Sequence, residues 1–234
     1  MKKIVILSGG LDSTIALYKT VSEIGAENTF ALSFDYNQKH KIELEKAQIS
    51  TKKLGVSHKI IDIGFFGELI KEKSALSGSK DSIQVPTIDD VLGHPQPVTY
   101  VPFRNGLFSM LAFSYAECVE AERIVIGLQA HDLYQYWDTT LETVQKLNEY
   151  ASLNREILIQ IEAPFVHMSK AEEIKLGVEL KVPFENTWTC YDPQPIFEHS
   201  EKHNVFLACG VCPSCAERIQ NFELAGVVDP IEYV

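Results

Sequence analysis

The sequence predicts an α/β fold: a parallel sheet with helices on both faces, followed by a small cysteine-rich C-terminal region. Three observations predict it. Apolar, β-branched runs alternate with segments of helical periodicity from residue 3 to residue 180, the pattern of parallel βαβ units. A glycine pair in SGGLDS stands where the first apolar run gives way to the first helical pattern. From Thr187 onward periodicity fades and four of the five cysteines gather. The expected division is 1–186 for the α/β unit and 187–234 for the C-terminal region.

Taken in order, KIVILS (Lys3 to Ser8) reads as a buried strand, and DSTIALYKTVSEIG as a helix ending at Gly25. TFALSFDY (Thr29 to Tyr36) is a second strand, KHKIELEKAQISTKKLG a helix closed by Gly55, and HKIIDIG (His58 to Gly64) a third strand. From about Phe65 to Val98 the pattern breaks down into Gly, Ser, Pro and Asp, as in a long surface excursion. NGLFSMLAFSYAECVEA then reads as an apolar helix and RIVIGLQ as a strand. TTLETVQKLNEYASLN follows as an amphipathic helix, ILIQIEAPF as a strand, and SKAEEIKLGVEL as a helix that Ser169 caps.

The chain has 234 residues and is 45% hydrophobic, enough for one sizeable core with or without a small appendage. Its net charge of -11 argues against a phosphate-binding surface spread over the molecule, so nucleic acid is not an expected partner. No stretch approaches the roughly 20 apolar residues of a membrane span. The apolar run after Lys2 and Lys3 is too short for a signal-peptide core. The expected location is the cytoplasm, where thiols stay reduced.

Ligands of open α/β sheets bind at the carboxyl ends of strands, and SGGLDS occupies such an end before a helix start. Glycines let backbone N–H groups approach an anion, and the helix dipole favours phosphate there. Ser8 and Ser13 add hydroxyl donors. Asp12 is the odd residue, because a carboxylate repels phosphate; it either helps to hold Mg²⁺ or caps the helix. The loop is neither a GxxxxGK[ST] nor a GxGxxG motif. It resembles the pyrophosphate loop of the N-type ATP pyrophosphatase superfamily, which implies cleavage of ATP between its α and β phosphates.

Cys190, Cys209, Cys212 and Cys215 stand in TWTC and CGVCPSC. Two overlapping CxxC steps and a fourth cysteine fit a tetrahedral structural Zn²⁺. A redox pair would ordinarily open a helix of a thioredoxin-like unit, which the sequence lacks. A disulfide conflicts with a cytoplasmic location. Cys118, in an apolar helix, is expected in the core, and His199 and His203 on the surface.

SGGLDST, FDYNQKHKIELEKA, YVPFRN, HMSKAEE and TWTCY…CGVCPSCAER occur in the order found in 7-cyano-7-deazaguanine synthases, and the chain resembles that family from Val5 to about Phe222. The resemblance implies an adenine nucleotide alpha hydrolase-like core, a four-cysteine zinc site and often a homodimer. The implied reaction adenylates 7-carboxy-7-deazaguanine with ATP and Mg²⁺, and ammonia converts the adenylate to the amide and then the nitrile. By position, the resemblance implies that Ser8, Gly9, Gly10, Leu11, Asp12, Ser13 and Asp35 hold the nucleotide. It gives Asp12, Lys170 and Arg104 to catalysis. Asn105, Tyr36, Gln38 and His40 match family positions as well. The plainer roles for these residues are a helix-surface Lys170, a helix-start ion pair at Arg104 and a surface His40.

One departure bears on the substrate. Where the family carries a DxSGYPDCR-like stretch, this chain reads DLYQYWDTT. Asp132, Tyr136, Trp137 and Asp138 are the expected ring-binding residues, with aromatics covering the heterocycle and carboxylates accepting from its N–H groups. The lost arginine and proline keep a second acceptor open: a larger amine, such as a protein N-terminus in a defence setting, in place of ammonia. The same motifs are compatible with a thiolase-like enzyme acting on tRNA and with a non-catalytic, zinc-stabilised nucleotide-binding module.

Overall fold

The computed structural model describes residues 1–39, 41–77, 85–87, 89–90, 98–129, 136–196 and 205–234. His40, Asp132, His199 and His203 lie outside the described residues.

Among the described residues the main sheet has five parallel strands in the order β3-β2-β1-β4-β5. These are β1 (Lys3–Ile6), β2 (Thr29–Asp35), β3 (Ser57–Asp62), β4 (Arg123–Ile126) and β5 (Gln160–Glu162). β1 is central and buried throughout, as an unbroken β-branched run in a doubly covered sheet should be. Alternation sorts the side chains by face. Ile4 and Ile6 join Leu32, Phe34, Ile124 and Ile126 in one core layer. That layer lies under α3 (Gly64–Ile70), α4 (Arg104–Val119) and α5 (Leu141–Ala151). Val5, Leu7, Ala31 and Val125 join the opposite layer, under α1 (Leu11–Ile24), α2 (Ile42–Leu54) and α6 (Lys170–Glu179).

Two helices fall where the sequence shows no clear period. The first, α3, lies inside the stretch read as a surface excursion. Its Gly67 packs so closely that a Cβ there would stand 1.9 Å from the Tyr36 carbonyl oxygen, so the helix is specified by a tertiary contact rather than by its own apolar stripe. The second, α7 (Pro213–Ala225), starts with Pro213 directly after Cys212 and ends at Gly226, φ 71°, a proline-start, glycine-stop helix. A two-stranded antiparallel hairpin, β6 (Gln194–Ile196) with β7 (Val205–Leu207), precedes it.

The C-terminal region has its own small core of Trp188, Cys190, Ala208, Cys212 and Cys215. It is also tied to the sheet unit. Phe222 of α7 packs with Phe184 in the α1 layer, and the Trp188 N–H donates to the Gly9 carbonyl at 3.0 Å. The buried Arg218 grips Asp229 with two hydrogen bonds, at 2.8 and 2.9 Å, and also donates to Thr187 Oγ1 and the Phe184 carbonyl. Cys118 is exposed, not in the core, because it occupies the outer side of α4. No helix of the described residues is long and apolar enough to cross a membrane.

Candidate active site and metal centre

Strand order reverses at β1, whose neighbours are β2 on one side and β4 on the other. The carboxyl ends of β1 and β4 therefore diverge into a crevice, and a cavity of about 240 Å³ lies there. Ser8, Gly10, Leu11, Asp12 and Ser13 line it from the β1 side, Gly127 and Leu128 from the β4 side. Gly9 has φ 92°, and a Cβ on it would stand 1.9 Å from the Glu43 carbonyl oxygen. Only glycine lets α2 press on the loop this closely. The serines organise the turn: the Ser8 and Gly9 N–H groups donate to Ser13 Oγ at 3.2 and 3.3 Å, and the Gly10 N–H to Ser8 Oγ at 3.1 Å. No side chain caps α1 at Gly10, so the helix start presents its backbone donors and dipole to the crevice.

Asp12 is not the cap. Lys170, the first residue of α6, donates to its Oδ2 at 2.7 Å. A Ser169–Glu172 capping box sets the start of α6 and so aims Lys170 across the loop.

Arg104 enters from α4. The residue before it, Phe103, is in the left-handed region at φ 53°, which costs a non-glycine residue about 1–2 kcal/mol. An aromatic cluster holds this turn: Phe103 stands edge-on to Trp137 at 5.1 Å, and its N–H donates to the Tyr100 hydroxyl. Trp137 Nε1 donates to the same hydroxyl at 2.9 Å. Burial opposes the Arg104 charge, but its hydrogen bond with Tyr36 and its neighbours Tyr191 and Asp138 outweigh it and raise the pKa. Asp138 is buried; the Asn105 N–H donates to its Oδ2 at 3.4 Å, and Asn105 Nδ2 to its carbonyl at 3.2 Å. Burial raises its pKa and Arg104 pulls it back.

The structure thus brings Ser8, Gly10, Leu11, Asp12, Ser13, Arg104, Asn105, Tyr36, Gln38, Tyr136 and Lys170 into one cavity wall. Four expected residues stand outside that wall: Gly9, which packs under Glu43 of α2, and three more. Asp35 organises the turn after β2, accepting from the Asn37 N–H and from Lys41 Nζ at 3.0 Å each. Trp137 is 42% exposed, outside the cavity and against Phe103. Asp138 lies behind Arg104 and Asn105. Other residues join unannounced: Glu43, Thr139, Thr189, Tyr191, Ser214 and Glu217. Glu43 looks in sequence like an ordinary first-turn acid of α2, and Tyr191 is marked only by its place beside Cys190.

The four cysteine Sγ atoms lie within 4.8 Å of one another, with Cys209 and Cys215 at 3.9 Å. A tetrahedral ion with metal–sulfur bonds of about 2.3 Å needs sulfurs roughly 3.8 Å apart. The spacing suits a single ion. Backbone N–H groups of Asp192 and Cys209 point at the Cys190 sulfur, and that of Cys212 at the Cys209 sulfur. Hydrogen bonds from Cys190 and Cys215 hold the Cys212 thiol far below its ordinary pKa. The donor set can hold a metal ion, and Thr189, Tyr191 and Ser214 beside it also line the cavity.

The profile of a family described as queuosine biosynthesis protein QueC matches residues 2–226. A 7-cyano-7-deazaguanine synthase from Caldicellulosiruptor saccharolyticus is 39% identical over 233 residues, covering 100% of this chain and 96% of that protein. One from Nostoc punctiforme is 36% identical over 242 residues, covering 100% of each. The U34-tRNA thiolase NcsA from Methanococcus maripaludis has a TM-score of 0.49 and 14% identity, over 82% of this chain and 60% of that one; a likeness of that size says nothing about chemistry.

Proposed function

This chain belongs to the QueC family of queuosine biosynthesis proteins, and from that premise we propose that it is a 7-cyano-7-deazaguanine synthase that consumes ATP and ammonia. One observation carries the reading: the Ser8–Ser13 loop, Lys170 and Arg104 converge on a single cavity at the β1–β4 crevice.

ATP, with the Mg²⁺ it brings, lies with its phosphates over the loop, where backbone donors, the helix start and Lys170 match the charge of departing pyrophosphate. Tyr136 faces the deazaguanine ring, and the fixed Arg104 cation orients the carboxylate toward the α-phosphate. A carboxylate oxygen forms a bond to the α-phosphorus, and the bond to the β-phosphate oxygen breaks. Ammonia then adds to the acyl carbon and AMP leaves, giving the amide. A second adenylation, on the amide oxygen, and loss of AMP give the nitrile. Cys190, Cys209, Cys212 and Cys215 would hold a structural zinc, which would tie the segment after Trp188 to α7 and leave no open position for catalysis. A cytoplasmic location and a homodimer belong to the same reading. Full-length relatives named as synthases favour nitrile synthesis over conjugation to a larger amine, tRNA thiolation or a non-catalytic role.

Incubation with ATP, 7-carboxy-7-deazaguanine and ammonium should yield AMP, pyrophosphate and a product lighter than the acid by mass spectrometry. Release of ADP, or adenylation followed by transfer only to a protein amine, overturns the assignment.

A further inference from the structure

Resting on that reading, we propose that the Glu43 carboxylate is the proton acceptor for the steps in which nitrogen loses hydrogen. The chemistry releases three such protons. As the C–N bond forms and the C–O bond to AMP breaks, ammonia gives up one. Adenylation of the amide oxygen, with pyrophosphate leaving, removes a second from nitrogen. As that C–O bond breaks and the C≡N bond forms, the third leaves with AMP. The acid-activating step that comes first releases none from nitrogen.

Few groups in the cavity suit this task. Among the described lining residues there is no histidine. Asp12 is held by Lys170 at 2.7 Å. Burial raises the pKa of Tyr36 and Tyr191, so their phenols stay protonated. Glu217 belongs to α7, on the cysteine-cluster side. Glu43 adjoins the phosphate loop: its Oε1 lies 3.8 Å from where a Cβ on Gly10 would be, and its backbone is locked against Gly9. Its field partners are Arg104, on the substrate side, and Asp12, on the phosphate side. The carboxylate thus shares one cavity wall with the phosphate loop and Arg104, where the proposed reaction places the activated carbon.

Among the described residues, the charged and titratable groups that line the same cavity are Asp12 on α1, Tyr36 after β2, Arg104 on α4, Lys170 on α6, Tyr191 beside the cysteine cluster, and Glu217 and Arg218 on α7. Burial raises the Glu43 pKa to about 8, Arg104 opposes this and Asp12 adds to it. Acceptor and donor forms then interchange close to working pH, where a general base is most effective.

The test separates the half-reactions in Glu43→Gln. Acid-dependent ATP–pyrophosphate exchange should stay within about threefold of the unmodified protein. Conversion of supplied amide to nitrile should fall about 100-fold or more, with amide accumulating from the acid. Glu43→Asp should restore part of the rate. In the unmodified protein the amide-to-nitrile rate should rise with pH through about pH 8, and Glu43→Gln should lack that limb. Nitrile formed at an undiminished rate by Glu43→Gln overturns the proposal. So does an equal loss of exchange in Glu43→Gln and Glu43→Asp, which marks a merely structural role. A loss carried by Glu217→Gln instead also overturns it. An unmodified protein that makes no nitrile refutes the function itself, which is a different result.

Discussion

Gly9 and Gly10 look equivalent in sequence but meet different neighbours. A side chain on Gly9 collides with the Glu43 carbonyl, whereas one on Gly10, at ordinary φ, meets the Ser8 hydroxyl at 3.2 Å. Gly9→Val should therefore reduce acid-dependent pyrophosphate exchange to background, while Gly10→Ala keeps a measurable rate; equal rates in the two variants contradict this account of the loop. Trp137 packs edge-on against Phe103. Without its indole, the strained residue before Arg104 can relax, since about 1–2 kcal/mol is stored there. Trp137→Ala should lower kcat at least tenfold with a smaller change in KM for the acid, and Trp137→Phe should recover most of it. A variant that raises KM alone would show instead that the indole covers the ring.

At the scale of elements, α7 joins the four-cysteine cluster to the sheet. Arg218 is the joint: its side chain is 1% exposed and paired twice with Asp229, which also accepts from the Tyr233 hydroxyl at 2.6 Å. Removing one partner of a buried pair leaves the other charge uncompensated. Arg218→Met should cost about 3–5 kcal/mol by urea unfolding. The double variant Arg218→Met with Asp229→Asn should recover part of that loss. A cost below about 1 kcal/mol would mean that the tail is not held by this pair.

Across the whole molecule, the cysteine region is a wall of the cavity and not an appendage beside it. One zinc per chain is expected by metal analysis. Chelation should lower the melting temperature and abolish acid-dependent exchange together, because Tyr191 and Ser214 lose their support. Exchange that survives full removal of the metal argues against this coupling. Glu43 leaves a signature on the stability of the whole fold. Its pKa is raised by burial from 4.5 to about 8, so between those values the folded state keeps a proton that the unfolded state has released. Stability relative to Glu43→Gln should thus fall as pH rises through that window and level off above it. Urea midpoints of the two proteins that stay parallel across the window would place Glu43 in water.

The sequence by itself determined what is local. SGGLDS carries its loop in consecutive residues, CGVCPSC brings three of the four clustered cysteines within one turn and a helix start, and two-residue alternation sorts Ile4 and Val5 to opposite faces of β1. Family membership was legible for the same reason, in short motifs read in order. Tertiary packing decided what stands opposite the loop. Asp35, Trp137 and Asp138 have the right chemistry for a ligand, yet they serve a turn, a strained neighbour and an arginine. Glu43 and Tyr191 show no pattern in sequence, yet they line the cavity. Periodicity records which face of its own element a residue occupies. It does not record which element will be packed against that face, and in a sheet whose order reverses at its first strand, that is what makes the site.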